Sequence, residues 1–279
     1  MVISEKIENL ALFMRRKIID ISFHSGTSTH VGGALSMTDI MATLYGHILN
    51  IDPQNPTWED RDRFILSKGH GVLGFYPALL GVGLISEEKF NSFQTNGSDL
   101  IAHPVMNIDL GIESSNGSLG QGLSMGVGIA LSAKKQKKSF KTYVLMGDGE
   151  TNEGSVWEAV MLAAQQGLDN LVAIVDNNAM QNDGQGEDII DNRNLHKRFE
   201  AFGWDVFNID GHDITALIDA FETPVQSGKP KMVVANTVKG KGISFMEGDN
   251  AWHHNRLAQS KYDIAWAELN EPLATEETV

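Results

Sequence analysis

Hydrophobic residues along the chain follow two spacings, one typical of helices and one of buried strands. Apolar residues recur at helical spacing over 5–23 and predict an amphipathic first helix. Short apolar runs predict strands at 63–67, 141–147, 171–178, 204–210 and 231–237, with helices near 119–135, 153–167 and 213–226. Apolar strands joined by helical crossovers indicate an α/β fold, a doubly wound and mostly parallel sheet with helices on both faces. Such sheets bind ligands at the carboxyl ends of their strands.

A helix start is also predicted after the first glycine-rich turn. Ser36 has the residue type of an N-cap, and Asp39 follows three positions later in a capping-box relation. We therefore expect a second helix to begin at Ser36.

Composition narrows the function classes. The chain has 279 residues, a formal net charge of −14 and no cysteine. The lack of cysteine excludes disulfides, thiolate metal sites and a cysteine nucleophile. An acidic chain is a poor non-specific nucleic-acid binder, because neutralising phosphates needs an excess of lysine and arginine. No leader peptide or run of roughly 18 apolar residues is present, so we expect a cytoplasmic enzyme without a membrane partner.

Polar side chains follow two of the predicted strands at the point where each strand ends. Gly147-Asp148-Gly149 follows one strand, and Asn177-Asn178 follows the next. Parallel strands bring both ends to one edge of the sheet, where a carboxylate and an amide oxygen form ligands suited to Mg²⁺. The glycines let the backbone approach a diphosphate, and the following helix N-terminus favours its charge. Either motif alone is common in loops. Each motif here follows an apolar strand, and this context favours the functional interpretation.

The span from GDG to NN resembles the thiamine diphosphate signature. Further blocks resemble transketolase and stand in that family's order from about residue 5 to 257: SGTSTHVGGALSMTDIMATLY, DRFILSKGHGVLGFYPALL, AHP, GSLGQGLSMGVGIA, GETNEGSVWEA and VKGKGISFMEGDNAWHH. The resemblance is to the N-terminal, diphosphate-binding half of a transketolase.

The resemblance implies a set of cofactor and metal residues. Asp148, Asn178 and the carbonyl of Met180 would hold Mg²⁺, or Ca²⁺ or Mn²⁺ in its place. Gly149 and His70 would contact the diphosphate of thiamine diphosphate. Two further residues, Gly117 and Leu119, would line its aminopyrimidine ring.

Histidines are the expected proton carriers. By the resemblance, His30 and His253 lie near the acceptor aldehyde and the C3 hydroxyl, and His103 holds the C1 hydroxyl of a ketose donor. Neutral imidazoles near pH 7 suit the movement of hydroxyl protons. The other histidines are expected to be structural or surface residues: His24, His47, His196, His212 and His254.

Four charged residues keep two interpretations open. Glu153 and Glu158 match acidic residues at the family's dimer contact, where Glu153 also borders the cofactor, and solvated helix carboxylates are the alternative. Lys239 and Lys241 either approach the diphosphate or substrate or lie in an exposed turn.

The resemblance implies a split enzyme. We expect a diphosphate- and Mg²⁺-binding domain over 1–265 and an acidic tail over 266–279. The family's pyrimidine-binding domain, which carries the glutamate that activates the cofactor, has no counterpart after residue 257 and is expected on a partner chain. Met1 and the polar end favour a separate subunit over a piece of a longer enzyme. We expect an α2β2 transketolase, which is a transferase that moves a two-carbon unit from a ketose to an aldose.

Two departures from the family pattern leave the substrate open. Thr29 replaces a glycine beside His30, and polar Asn182 replaces an apolar residue near the cofactor. Alternatives are part of another thiamine diphosphate carboligase or decarboxylase, such as a deoxyxylulose-phosphate synthase-like enzyme, or a non-catalytic subunit that holds cofactor. The sequence does not name the donor and acceptor sugars.

Overall fold

A computed structural model describes residues 2–270 and contains a five-stranded parallel sheet. Its strands, with a small antiparallel hairpin formed by β4 and β5, are β1 (Arg63–Leu66), β2 (Thr142–Gly147), β3 (Leu171–Asn177), β4 (Met180–Gln181), β5 (Gly184–Gln185), β6 (Asp205–Asp210) and β7 (Lys231–Asn236). The strand order is β1-β2-β3-β7-β6. The predicted α/β fold with a parallel sheet is confirmed.

Helices cover both faces of the sheet. They are α1 (Ile3–His24), α2 (Val31–Ser36), α3 (Thr38–Thr43), α4 (Val72–Gly81), α5 (Glu87–Asn91), α6 (Gly122–Lys135), α7 (Gly154–Gln165), α8 (Gly186–Ile189), α9 (Leu195–Ala201), α10 (Ile214–Glu222) and α11 (Gln259–Asn270). Within the described residues, no helix is long and apolar enough to cross a membrane.

The alternation of side chains along each strand builds two separate cores. In β2, Tyr143 and Leu145 belong to the core shared with α1, α3, α4 and α10. Their neighbours Val144 and Met146 belong to the core shared with α6, α7 and α9. Burial on both faces explains why the central strands are almost wholly apolar. The polar residues that follow these strands are thereby left at one edge of the sheet.

The predicted helix start at Ser36 is wrong. α2 already begins at Val31, and Ser36 lies at its end, fully buried, where its hydroxyl donates to Asp176 at 2.6 Å. Asp39 does not form a capping box, because Arg15 donates to both of its carboxylate oxygens, at 3.0 and 2.6 Å. Both side chains therefore bind residues that are distant in the sequence, and they do not form the predicted cap.

The predicted domain boundary at 265 falls inside a helix. α11 continues to Asn270, and Leu269 is buried against the rest of the fold. The guanidinium of Arg16 in α1 donates twice to the Leu269 carbonyl, at 3.1 and 2.8 Å. Residues 266–270 therefore belong to the packed domain and not to a tail. The rest of the predicted acidic tail, 271–279, lies outside the described residues.

Close packing of α6 on β2 predicts opposite effects for two glycines of the same helix. A Cβ on Gly126 would lie 2.4 Å from Cγ2 of Val144, whereas a Cβ on Gly128 would meet nothing within 4 Å. Val144 has a stiff side chain and cannot turn away easily. We expect G126A to lower the free energy of unfolding by about 1–2 kcal/mol, since overpacking outweighs the gain in helix propensity.

G128A is the matched control, and we expect it to raise the free energy of unfolding by up to about 1 kcal/mol, because alanine favours the helix. Urea unfolding of the purified variants measures both values. Equal effects of the two substitutions would contradict the close contact between α6 and β2.

Candidate active site

The sequence-predicted site residues line one open cavity at the carboxyl ends of the strands. Its volume is about 480 Å³. The cavity gathers the predicted set in full: His30, His70, His103, Gly117, Leu119, Asp148, Gly149, Glu153, Asn178, Met180 and His253. The structure thus brings these residues together from distant segments of the chain, while the role of each one stays a prediction.

Oxygen donors lie where β2 and β3 end. Gly147 of β2 is paired with Asp176 of β3, so Asp148 and Asn178 leave the sheet side by side. The Asn178 amide donates to Asp176 and accepts from the Met180 N–H at 3.2 Å. Between residues 2 and 270, no three His, Asp or Glu side chains group closely enough to hold a metal by themselves. A cation here would need the amide and carbonyl oxygens as well as Asp148.

The donor set fits a divalent cation with a diphosphate. The Asp148 carboxylate is buried, and burial, followed by the charge of Asp176, raises its pKa to about 6. Its hydrogen-bond partners are backbone N–H groups, among them Gly149 at 2.9 Å. A cation would offset both causes of the raised pKa, and hard oxygen ligands suit Mg²⁺. The Gln181 side chain packs against Gly149. Its amide nitrogen is buried and has no hydrogen-bond partner.

Five imidazole rings form a cluster at the other end of the cavity. The His30 ring lies 5.1 Å from His70, 6.3 Å from His103 and 5.5 Å from His253, measured between ring centroids. His254, expected to be a structural or surface residue, is closer still at 4.4 Å. In the sequence, only the position of His254 directly after His253 indicates that its ring could belong to the cluster.

Three rings of the cluster, those of His30, His70 and His253, have lowered pKa values and are neutral near pH 7. Burial, then the neighbouring histidines, lower the pKa of His30 to about 3. Burial and the adjacent Lys239 lower the pKa of His253 to about 4. The pKa of His70 is also lowered, by burial first and then by Lys68. Neutral imidazoles can both donate and accept, which suits proton transfer to and from hydroxyl groups.

The two lysines of the VKGKG segment have different surroundings. Lys239 is 2% exposed and lines the cavity, where its ammonium lies 2.8 Å from Nδ1 of His253 and donates to Asn250. Burial and the charge of Lys68 lower its pKa to about 8. Lys241 instead pairs with Glu247 on the outside. Because the Lys239 ammonium can only donate, Nδ1 of His253 accepts, and the ring proton of neutral His253 lies on Nε2.

A buried ion pair lies at the wall of the cavity, and no sequence pattern indicated it. Lys68 of the SKGH block donates to Asp176 at 2.5 Å, and the two side chains are 2% and 0% exposed. Ser36 and Thr237 also donate to Asp176. Burial opposes ionisation of Asp176, but Lys68 and the hydroxyl donors hold its pKa below the ordinary value. Both residues lie inside motif blocks, and only tertiary structure shows that they meet.

The two departures from the family pattern both contact the segment 250–255, but only Asn182 lines the cavity. Thr29 pairs with Asn255 through two backbone hydrogen bonds, at 2.9 and 3.0 Å, and its hydroxyl donates to Ser22. Asn182 lines the cavity, and its carbonyl accepts from Asn250 at 3.1 Å. Thr29 therefore joins the segment before His30 to the segment after His254.

Comparison with known proteins relates the chain to transketolases. Residues 9–269 match the family model described as "Transketolase, thiamine diphosphate binding domain". An apulose-4-phosphate transketolase subunit of Actinobacillus succinogenes is 42% identical over 267 residues, which cover 96% of this chain and 97% of that protein. A 6-deoxy-6-sulfo-D-fructose transketolase subunit of a Clostridium species is 42% identical over 87% of this chain and 88% of that one.

Solved transketolases share the fold over part of their length. The Campylobacter jejuni enzyme superposes with a TM-score of 0.86 at 32% identity, covering 96% of this chain and 43% of its own. The Leishmania mexicana enzyme gives a TM-score of 0.86 at 30% identity, covering 94% of this chain and 41% of its own. The chain therefore spans about two-fifths of these enzymes.

The Lys68–Asp176 pair predicts strong coupling between two substitutions. K68M leaves the Asp176 carboxylate buried without a cation, and we expect a loss of about 3–5 kcal/mol in the free energy of unfolding. D176N in the K68M background removes that charge, so the double variant should lose less than the two single variants combined. Urea unfolding measures each value. K241M, which breaks an exposed pair, is the control, with an expected loss of about 1 kcal/mol or less.

The lowered histidine pKa values predict a pH dependence with a defined sign. The unfolded chain binds protons on these imidazoles below about pH 6.5, whereas folded His30 and His253 do so only near pH 3 and 4. Their contribution to folding stability therefore falls as the pH drops from about 6.5 towards 4. In ¹H–¹³C NMR spectra, we expect the Cε1–H signals of both residues to stay unshifted from about pH 8 to 5.5. A titration midpoint above about pH 6 for either residue would refute the assignment.

Proposed function

Because this chain belongs to the transketolase family as its thiamine diphosphate-binding part, we propose that it is one subunit of a two-chain transketolase. The reaction moves a two-carbon glycolaldehyde unit from a ketose to an aldose. The observation that carries the proposal is one cavity in which oxygen ligands of Asp148, Asn178 and Met180 lie together with the histidine cluster. Three of its rings, those of His30, His70 and His253, have lowered pKa values. The arrangement provides for both a metal-bound diphosphate and the handling of hydroxyl protons.

The cofactor-binding residues are proposed from this geometry together with the family resemblance. Asp148, Asn178 and the Met180 carbonyl hold Mg²⁺, and His70 and Gly149 contact the diphosphate. The Gly149 N–H donates to the Asp148 carboxylate in the structure. To contact a diphosphate, it would have to leave this acceptor or share its hydrogen bond between the two. Gly117 and Leu119 line the aminopyrimidine side. When bound, thiamine diphosphate supplies the electron sink for cleavage of the carbon–carbon bond.

Histidines orient the sugar and move its protons. His103 holds the C1 hydroxyl of the ketose donor, which favours ketoses over other carbonyl compounds. His30 and His253 lie near the C3 hydroxyl and the acceptor aldehyde, where a proton leaves as the bond breaks and returns as the new one forms. Lys239 fixes the proton of His253 on Nε2 and so directs its donor atom towards the cavity.

A partner subunit completes the site. The related apulose-4-phosphate transketolase subunit matches this chain over nearly its whole length, while the single-chain transketolases are more than twice as long. We propose that the partner carries the pyrimidine-binding domain with its activating glutamate, and that two copies of each chain form an α2β2 assembly. Glu153 is exposed at the cavity rim, and we propose that it lies at the contact between the chains. The cytoplasmic location stays a prediction.

The substrates are proposed as a class. Related subunits are named for apulose 4-phosphate and for 6-deoxy-6-sulfo-D-fructose, which are a phosphorylated and a sulfonated sugar. Lys68 and Lys239 line this cavity, and both are held by neighbouring side chains. We propose a phosphorylated or otherwise modified ketose whose anionic end is bound mainly by the partner subunit.

Co-expression with the protein encoded next to it tests the assignment. We expect the two chains to co-purify and, with thiamine diphosphate and Mg²⁺, to transfer a two-carbon unit between members of a ketose and aldose panel. The isolated chain should show a turnover lower by roughly a thousandfold or more, because the activating glutamate is missing. Mass spectrometry of the products measures the transfer.

D148A in the same complex is the matched control. It removes a proposed metal ligand, so it should abolish transfer while co-purification is retained. Normal turnover by the isolated chain would refute the two-chain hypothesis. Release of CO₂ from pyruvate by the complex would instead establish a synthase-like reaction, and cofactor binding without any turnover would establish a non-catalytic subunit.

A further inference from the structure

Glu150 is a buried carboxylate that the proposed reaction does not use. It follows the Asp148-Gly149 turn directly and is 3% exposed. Both of its oxygens accept hydrogen bonds. The Ser67 hydroxyl and the Gly120 N–H, the latter at 2.8 Å, donate to Oε1, and the Gly147 N–H donates to Oε2 at 3.1 Å.

The donors belong to three separate segments, each of which continues into residues of the cavity. Ser67 directly follows β1, three positions before His70. Gly120 follows Leu119, the residue placed at the aminopyrimidine side. Gly147 ends β2, immediately before Asp148. A single carboxylate therefore connects the histidine segment, the aminopyrimidine loop and the metal-binding turn.

The surroundings of this junction leave little freedom. The Ser67 hydroxyl also accepts from the Gly122 N–H at 3.1 Å, which adds a second tie to the aminopyrimidine loop. Gly120 has a φ of +81°, and a Cβ there would lie 2.6 Å from Cβ of Glu153. The aminopyrimidine loop therefore has a backbone conformation that favours glycine at position 120, and it packs closely against the turn that contains Glu150.

Every direct donor to Glu150 is neutral, so the carboxylate serves as a double acceptor and not as half of an ion pair. Burial raises its pKa, and the hydrogen bonds from Ser67, Gly120 and Gly147 offset part of that effect. A glutamine in its place has one oxygen and one N–H₂ group. The N–H₂ group would face the N–H of either Gly120 or Gly147, and that N–H would lose its acceptor.

We propose that Glu150 is a positioning residue that sets the distance between the aminopyrimidine loop and the metal-binding turn. One cofactor molecule must contact Gly117 and Leu119 with its ring, while its diphosphate must reach Gly149 and the metal ion that Asp148 would hold. The carboxylate holds the two contact regions at the separation that this requires. The inference rests on the proposed function, since it takes the cavity to bind thiamine diphosphate with Mg²⁺.

Binding of two ligands to the complex with the partner subunit tests the proposal. Thiamine diphosphate spans both regions, whereas inorganic pyrophosphate occupies only the turn. For E150Q, we expect the Kd of thiamine diphosphate with Mg²⁺ to rise about tenfold or more, because buried donors are left unpaired. The Kd of pyrophosphate with Mg²⁺ should rise less than about threefold, because its contacts lie within one region. Titration calorimetry measures both constants without relying on turnover.

S67A is the second variant, and it keeps the test informative if E150Q folds poorly. It removes one donor, so we expect the Kd of thiamine diphosphate to rise about fivefold. In the double variant, the effect should be smaller than the product of the two single effects, since both act through the same carboxylate. E200Q, the same substitution at an exposed position of α9, should change neither constant.

The outcomes separate this proposal from the proposed function. Unchanged thiamine diphosphate binding by E150Q, or equal losses for thiamine diphosphate and pyrophosphate, would overturn the positioning role while leaving the cofactor assignment intact. Failure of the unmodified complex to bind thiamine diphosphate would overturn both proposals. A selective loss for the larger ligand supports the positioning role.

Discussion

The buried ion pair between Lys68 and Asp176 is the interaction on which the candidate site depends. Removing both charges from water is costly, and the pair is stable here because Ser36 and Thr237 donate to the same carboxylate. These partners come from α2, from β3 and from the residues that follow β1 and β7. The pair therefore fixes the mutual positions of the segments that carry the cavity residues.

The cavity shows a division of charge between its two ends. Lys68 and two hydroxyl donors hold the pKa of Asp176 below its ordinary value, whereas Asp148 has a raised pKa, since burial dominates and its direct donors are backbone N–H groups. At the other end, burial and the neighbouring lysine charges lower the pKa of His70 and of His253 and keep both rings neutral. A dication with its phosphates and a set of proton-transferring imidazoles therefore have separate places within one pocket.

Local pattern and motif identity were enough to predict the sheet and most of the site. Strand positions, sheet class and the eleven predicted cavity residues came from apolar runs and from blocks such as GDG and SKGH. Ser36 does not cap a helix, because its hydroxyl donates to a buried carboxylate 140 positions away. The roles of Glu150 and Lys68 cannot be predicted from the sequence for the same reason. Their roles depend on partners brought near by the fold, and no local signal encodes those partners.

The position of β7 has a consequence for how the chain is made. β7 is the last strand among residues 2–270, yet it lies between β3 and β6 and pairs with both. At ribosomal rates of about 5–20 residues per second, the stretch from β3 to β7 takes roughly 3 to 12 s to synthesise. During that time the open edge of β3 lacks its partner strand, and β6 lacks it as well from the completion of residue 210 onwards. Nascent chains would therefore benefit from a chaperone that shields these edges until residue 236 has emerged.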